Sequence, residues 1–225
     1  MNGFFITGTD TEVGKTFVTL GLMTALKKRN LTVFGMKPVA SGCVLTKEGL
    51  RNEDAEQIQQ LNDIEVPYEQ INPYAFAPAI APHLAAAKAG EIIELDKIAL
   101  CHKALTLLAD AHVVEGIGGW RVPLGDNQST SDLVHRLGLP VILVVGMRVG
   151  CINHALLTAE AIRADGAHLQ AWVANQLEPD YPNLTPTVEC ITSKLSAPML
   201  GLVPFMETVD VGRISDSLNL HFLLS

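Results

Sequence analysis

The chain has 225 residues, of which 48% are hydrophobic, enough for one sizeable core, so we expect a single domain over residues 1–225. Its 16 basic and 24 acidic residues give a net charge of −8 without a basic stripe, which makes nucleic acid and anionic membranes poor candidates as partners. Because no apolar run reaches the roughly 18 residues of a membrane span, and because the four cysteines form no CxxC pair, we expect a cytoplasmic protein with free thiols and no zinc site.

Short apolar runs alternate with longer helical patterns along the chain. Strands are predicted over 3–8, 32–39, 112–116, 141–146, 171–176 and 199–204. Helices are predicted over 15–29, 91–109 and 153–164, and the Pro/Ala-rich residues 72–89 are predicted to form an ordered loop that leads into a helix. The central apolar runs are continuous and β-branched, as in strands buried on both faces. The pattern therefore predicts an α/β fold with a mostly parallel central sheet, flanked by helices on both faces.

The stretch "GTDTEVGKTF" (8–17) is similar to a phosphate-binding loop, but it has one extra residue. The usual pattern places four residues between the first Gly and Gly-Lys-Ser/Thr, whereas five residues, 9–13, separate Gly8 from Gly14 here. Gly8 ends a predicted strand and Lys15 opens a predicted helix, so backbone N–H groups and the helix dipole face an anion. This context predicts a P-loop NTPase-like fold that binds ATP. Lys15 is expected to reach the β- and γ-phosphates. The expected ATP-binding residues of the loop are Glu12, Val13, Gly14, Lys15, Thr16 and Phe17.

Two acidic residues and one hydroxyl are candidate ligands of Mg²⁺. Thr16 follows the loop lysine, in the position where such loops bind the ion. Glu115 ends a predicted strand at the sheet edge where ligands collect, and Gly116, Ile117 and Gly118 after it let the backbone approach a ligand. Asp54 has two open interpretations, because it can hold the metal or help to cap a helix.

Lys37 and Asn175 also stand at predicted strand ends. Lys37 precedes Pro38 and the turn that contains Ser41, so its charge can face a γ-phosphate from the side opposite the loop lysine and stabilise a transferring phosphoryl group. The alternative is a lysine whose stem lies on apolar surface with its ammonium in water. Asn175 can bond an adenine edge or can simply end a strand in a turn.

Seven motifs in order from residue 4 to about 204 closely resemble those of the dethiobiotin synthetases. They are "GTDTEVGKT", "KPVASG", "RNEDA", "VEGIGGW", "PVILVVG", "GCINHALLTAEAI" and "WVAN". That family has the five-residue loop spacing. The resemblance implies that the chain joins CO₂ and 7,8-diaminononanoate at the expense of MgATP, through a carbamate and a carbamic-phosphoric anhydride, to give dethiobiotin, ADP and phosphate.

The resemblance also implies roles for individual residues. Thr16, Asp54 and Glu115 would hold Mg²⁺, and the catalytic residues around the carbamate and the γ-phosphate would be Thr11, Lys15, Lys37 and Ser41. Glu12 would lie near a substrate amine. The adenine would be bound by Asn175, Gln176, Pro204, Phe205 and Met206. The family is a homodimer with its sites at the interface, and the segment that would receive the substrate carboxylate from the neighbouring subunit is Gly150, Cys151, Ile152 and Asn153. An ordinary helix N-cap is the other interpretation of Asn153.

Some positions depart from the family pattern, and one other class shares the fold. Ala81 stands where the family commonly has Ser, so His83 is given no role, and the segment after 206 is less familiar. The alternative is a partition-type or septum-positioning ATPase. Its signature lysine would fall at Asp10 and its glycines at Thr11 and Glu12. Those disagreements, and a C-terminus without a basic amphipathic pattern, favour the synthetase.

Overall fold

The computed structural model describes residues 2–223, in which strands and helices alternate. The strands are β1 (Asn2–Gly8), β2 (Val33–Met36), β3 (Val39–Ser41), β4 (Val44–Thr46), β5 (Gly49–Arg51), β6 (Tyr74–Phe76), β7 (Ala111–Glu115), β8 (Pro123–Gly125), β9 (Gln128–Ser129), β10 (Val141–Met147), β11 (Leu169–Gln176) and β12 (Met199–Val203). The helices are α1 (Lys15–Lys27), α2 (Glu53–Leu61), α3 (Tyr68–Ile71), α4 (Pro82–Ala89), α5 (Leu95–Thr106), α6 (Thr130–Leu137), α7 (Cys151–Ala164), α8 (Leu184–Lys194) and α9 (Val211–Asp216).

Six parallel strands form the central sheet in the order β12-β11-β10-β1-β7-β2. Every residue of β7 and β10 is buried, which requires cover on both faces of the sheet. The helices provide it: α1 packs on α2 and α9, α5 on α6, and α7 on α8. The predicted α/β fold is thus confirmed. Within residues 2–223 no helix combines the length and apolarity that crossing a membrane would need.

The predicted strand over 32–39 is wrong in one respect, because it divides into two strands in different sheets. β2 ends at Met36, and β3 pairs with β6 in a separate two-stranded parallel sheet. Pro38 has no N–H to continue the ladder, and the Lys37 N–H donates to the Ile71 carbonyl at 3.0 Å instead of to β7. The chain therefore leaves the central sheet at Lys37.

The remaining differences concern element ends and the segments between elements. The first helix ends at Lys27 instead of residue 29, the predicted helix over 91–109 spans only α5, and α7 begins at Cys151 instead of residue 153. The Pro/Ala-rich segment holds both β6 and α4. These shifts of a few residues leave the order of the elements unchanged.

The carboxyl ends of the parallel strands bring the predicted charged residues to one sheet edge. In the register of β2 and β7, Met36 is opposite Val114, and in that of β1 and β7, Ile6 is opposite Glu115. Lys37, Glu115 and the loop after Gly8 therefore leave neighbouring strands at the same level, where ligands of open α/β sheets bind.

Candidate active site

A cleft of about 940 Å³ lies over the carboxyl ends of β1, β2 and β7. Its wall opposite the sheet includes the turn before α4 and the start of α2. Its lining residues are Thr11, Glu12, Gly14, Lys15, Thr16, Phe17, Lys37, Ser41, Asn52, Asp54, Ala79, Ile80, Ala81, Pro82, Glu115, Ile117, Gly118 and Val122. The predicted catalytic and metal-binding residues thus meet in one cavity.

The phosphate-binding loop has the backbone shape of an anion site. Gly14 has φ 84° and is the N-cap of α1 without a side-chain cap, so first-turn N–H groups are left for a ligand. A Cβ at Gly14 would overlap the Asn175 amide, so glycine is required both by backbone and by space. Glu12 also adopts a left-handed conformation, with φ 59°, and Lys15 Nζ donates to the Asp10 carbonyl at 2.9 Å.

A buried ion cluster joins the ends of β2 and β7. Lys37 Nζ lies 2.6 Å from Glu115 Oε1 and 2.8 Å from Asp54 Oδ2. The Thr16 hydroxyl donates to Glu115 Oε1 at 3.0 Å. Lys37 is 5% exposed and Glu115 is 1% exposed. Lys37 therefore does not extend along the surface into water, and that interpretation is wrong.

The cluster shifts the pKa values of Lys37 and Asp54 in opposite directions. Burial alone would lower the pKa of Lys37, but the Glu115 and Asp54 carboxylates outweigh it, and the pKa lies above its usual value. Burial would raise the pKa of Asp54, but Lys37 outweighs it and the pKa is lowered. Lys15 lacks such close acidic partners, so burial lowers its pKa to about 8. Lys37 and Asp54 are thus both ionised at neutral pH.

The two interpretations of Asp54 are separated by its neighbour Asn52. The Asn52 side chain is the N-cap of α2, because its Oδ1 accepts from the Ala55 N–H at 3.2 Å. Asp54 lies in the first turn, and its carboxylate turns to Lys37. The helix-cap role therefore belongs to Asn52, and the Asp54 carboxylate belongs to the cleft.

Comparison with known proteins identifies the family to which this chain belongs. Residues 2–212 match a family model described as an AAA domain. The ATP-dependent dethiobiotin synthetase BioD of Cellvibrio japonicus is 49% identical over 222 residues, which cover 98% of this chain and 97% of that protein. The protein of the same name from Pseudomonas aeruginosa strain UCBPP-PA14 is 50% identical over 225 residues, with the same coverage. The chain belongs to the ATP-dependent dethiobiotin synthetase family. It is therefore an ATP-dependent ligase of biotin biosynthesis, and the resemblance seen in the motifs is confirmed.

Solved structures show how far the fold of this synthetase family extends. The MinD cell division protein of Aquifex aeolicus superposes with a TM-score of 0.59 at 18% identity, and the match covers 98% of this chain and 88% of that one. A ParA family ATPase from Chlorobium tepidum superposes with a TM-score of 0.61 at 12% identity over 100% and 99% of the two chains. Identities this low show a shared fold alone. The septum-positioning alternative is not favoured.

The predicted adenine residues do not line the cleft. Asn175 is buried, and its amide donates to the Val13 carbonyl at 2.9 Å, which ties β11 to the phosphate-binding loop. The Gln176 amide donates to the carbonyls of Glu178 and Pro179. Residues 204–206 follow the end of β12 and are partly exposed. An adenine role for this group stays a prediction.

The segment Gly150–Asn153 lies at the start of α7, away from the cleft. Gly150, with φ 92°, is the N-cap of α7, and Asn153 is an exposed residue inside the first turn. The interpretation of Asn153 as an N-cap is therefore wrong. Cys151 is buried beneath this turn. The expected contact with a neighbouring subunit's substrate stays a prediction.

Sequence reasoning missed several residues of the site. Asn52 and Val122, together with the wall at 79–82, line the cleft. The Asp10 carboxylate forms an ion pair with the Arg148 guanidinium at 2.5 Å. Asn52 directly precedes an acidic first turn, a pattern typical of an N-cap, so its position was readable. The apolar wall carries no local signal, because it reaches the site only through the fold.

Proposed function

We propose that the chain carboxylates 7,8-diaminononanoate with CO₂ and closes the ureido ring of dethiobiotin, with release of ADP and phosphate. The observation that carries this proposal is the meeting of Lys37 with the phosphate-binding loop in one cleft. In such a site Lys15 can pair with the nucleotide phosphates, and Lys37 is a second cation for an acceptor that becomes anionic. The names of relatives at 49% and 50% identity support it. We further propose that residues 1–225 form a single domain.

The proposed chemistry has three steps that balance in atoms and charge. One amine attacks CO₂ and loses a proton, which leaves a carbamate. A carbamate oxygen attacks the γ-phosphorus of ATP, the bond to ADP breaks, and a carbamic-phosphoric anhydride forms. The second amine attacks the carbonyl carbon, loses a proton and expels phosphate. Each step forms or consumes an anion, which the fixed cations Lys15 and Lys37 would stabilise.

The side chains of the cleft suit these steps. Lys15 is proposed to bind the β- and γ-phosphates, and Lys37 to neutralise the carbamate and the phosphoryl group as charge develops. Thr11 and Ser41 are proposed to hydrogen-bond the same groups, and Glu12 to lie near an amine. The Ser41 Oγ is a buried oxygen without a hydrogen-bond partner among the described residues, which supports a role in binding a ligand.

The residues also fit Mg²⁺. The Glu115 Oε2 is buried and has no partner within residues 2–223, and the other donors are the Thr16 hydroxyl and the Asp54 carboxylate. Mg²⁺ prefers such hard oxygen ligands and keeps others from phosphate and water. We propose that Thr16, Asp54 and Glu115 hold the ion, which would supply positive charge at the nucleotide phosphates.

A homodimer with shared sites is proposed from the resemblance of the Gly150–Asn153 segment. Asn153→Asp would repel a substrate carboxylate bound from the neighbouring subunit, and Lys37→Ala would disable the phosphoryl side. Each variant alone should be nearly inactive. If both are dissociated together and reassociated, random pairing makes about half of the dimers mixed, so roughly a quarter of all sites should be intact. Mixed dimers without recovered turnover would mean that each site lies within one chain.

The experiment that tests the activity is direct. The protein is incubated with 7,8-diaminononanoate, bicarbonate and MgATP, and dethiobiotin is sought by mass spectrometry. With the diamine limiting, we expect dethiobiotin and ADP in equal amounts. ADP formation without dethiobiotin would contradict the proposal.

A further inference from the structure

Two buried side chains outside the cleft connect the segments that carry Lys37 and Asp54. We propose that these side chains, Tyr68 and Asn72, are positioning residues that fix the Asp54 carboxylate against the Lys37 ammonium and hence at the metal position. The inference rests on the proposed roles of Lys37 and Asp54.

On the Lys37 side, the link replaces the pairing that the sheet no longer supplies. The Lys37 N–H donates to the Ile71 carbonyl at 3.0 Å. The Lys37 carbonyl accepts from Asn72 Nδ2 at 2.7 Å, and the same amide reaches the Tyr74 carbonyl at 3.3 Å. Both backbone polar groups of Lys37 are thus held by α3 and the residue after it, so Asn72 sets where the lysine stem begins.

On the Asp54 side, the link continues to the first residue before α2. The Tyr68 hydroxyl donates to Asn72 Oδ1 at 3.1 Å and accepts from the Asn52 N–H at 2.9 Å. Asn52 is the N-cap of α2, two residues before Asp54. Tyr68 and Asn72 therefore form one hydrogen-bonded path from the Lys37 backbone to the helix turn that carries Asp54.

The path matters because packing alone does not fix Asp54, whose side chain is 40% exposed at the cleft rim. The far end of α2 is already anchored to β2. There the Asn62 Oδ1 accepts from the Gly35 N–H at 2.6 Å, and the Asp63 Oδ2 accepts from the Val33 N–H at 2.9 Å. The Tyr68–Asn72 link anchors the near end to the residue after the same strand. Apart from the Lys37–Asp54 pair itself, this path is the hydrogen-bonded connection between the first turn of α2 and the Lys37 segment among residues 2–223.

The chain offers a matched control for the Tyr68 hydroxyl. Tyr74 is also buried, and its hydroxyl accepts from the Glu94 N–H at 2.8 Å, at the start of α5. Tyr68→Phe and Tyr74→Phe each delete one buried hydroxyl that accepts one backbone N–H. The ring of Tyr68 keeps its contact with the Arg51 guanidinium, which lies 4.2 Å from the ring centroid, so the phenylalanine retains its place.

The test measures Mn²⁺ binding by electron paramagnetic resonance in the presence of a non-hydrolysable ATP analogue, together with kcat. Both Phe variants should lower Tm by about 2–4 °C. Tyr68→Phe should weaken Mn²⁺ binding and lower kcat, each by roughly five- to tenfold, and Tyr74→Phe should change neither. Asn72→Ser should reproduce the Tyr68→Phe effects. Equal Mn²⁺ binding and equal kcat in the two Phe variants would overturn the inference.

A double variant separates this inference from the proposed function. If Tyr68 acts through Asp54, Tyr68→Phe should not weaken Mn²⁺ binding further when Asp54→Asn is already present. If Tyr68→Phe weakens Mn²⁺ binding as much in the Asp54→Asn protein as in the wild type, Tyr68 does not act through Asp54. If Asp54→Asn itself leaves Mn²⁺ binding unchanged, the proposed role of Asp54 fails, and the positioning role fails with it.

Discussion

Strand β7 carries a buried polar cluster at each end, and the two clusters differ in charge. At its carboxyl end, Glu115 lies in a salt-bridged cluster with Lys37 and Asp54. Near its amino end, His112 Nδ1 lies 3.0 Å from His102 Nε2, and burial lowers the pKa of both histidines to about 4. The second pair is therefore neutral at pH 7.

The difference shows at which end of β7 the protein keeps buried charge. Burying ions costs desolvation free energy even when they are paired, so a neutral pair satisfies buried polar atoms with a smaller free-energy penalty. His102 and His112 share a hydrogen bond through one ring nitrogen each and pack against Phe34, which is a structural arrangement. The salt-bridged cluster leaves one Glu115 oxygen without a partner among residues 2–223 and opens into the cleft, which suits the binding of a ligand.

The largest expected effect is the loss of a cation at the ionised end. Lys15→Ala and Lys37→Ala should each cut turnover roughly 10²–10³-fold, equivalent to about 3–4 kcal/mol of transition-state stabilisation. Lys15→Ala should also weaken nucleotide binding. Steady-state kinetics, with circular dichroism to confirm folding, measures both effects. Near-normal turnover of a folded Lys37→Ala protein would remove Lys37 from the mechanism.

The next effect concerns the metal. Asp54→Asn and Glu115→Gln keep the side-chain size but remove an anionic oxygen ligand, so the Mg²⁺ concentration for half-maximal activity should rise, by about tenfold or more. A magnesium titration of each variant measures it. If only Glu115→Gln raises the requirement, then Asp54 serves to hold Lys37 and does not bind the ion.

The smallest effect on turnover is expected at the neutral end, where stability should change instead. The folded histidines bind protons near pH 4 and the unfolded ones near pH 6.5. The unfolded state therefore takes up more protons as pH falls from 6.5 to 4, and stability decreases over that window. The loss is on the order of 3 kcal/mol for each histidine.

Urea unfolding at several pH values checks this expectation. The double variant His102→Gln, His112→Gln should show a flatter dependence between pH 6.5 and 4 and near-normal turnover at pH 8. His135→Gln, at an exposed histidine, should retain the wild-type dependence. The same steep dependence in the double variant would assign the acid sensitivity to other groups.

The two ends of β7 also differ in how readily the sequence predicts them. Lys15, Lys37 and Glu115 were predicted because each follows an apolar strand or opens a helix, where parallel topology gathers ligands. Asp54 needed the family resemblance, since its acidic first turn is equally typical of helix capping. Tyr68 and Asn72, which link the turn of Asp54 to Lys37, lie in and directly after the four-residue helix α3. Their contacts depend on where α3 packs, and no periodic pattern marks them.

The break after β2 shows the same limit in the fold. Pro38 indicated a strand end, but the pairing of β3 with β6 depends on a segment more than 30 residues away, which local propensity does not specify. The parallel pairing of the central sheet was within reach of sequence reasoning, because buried β-branched runs and helices alternate. The pairing of the three small sheets was not.

The central claim is that ring closure passes through a carbamic-phosphoric anhydride formed beside Lys37. In that path a carbamate oxygen becomes bonded to phosphorus, and it leaves with the phosphate when the second amine attacks carbon. Bicarbonate labelled with ¹⁸O should therefore transfer one ¹⁸O atom to each phosphate released, measured by mass spectrometry in the first turnovers before the label exchanges with water. Dethiobiotin formed together with unlabelled phosphate would contradict the account.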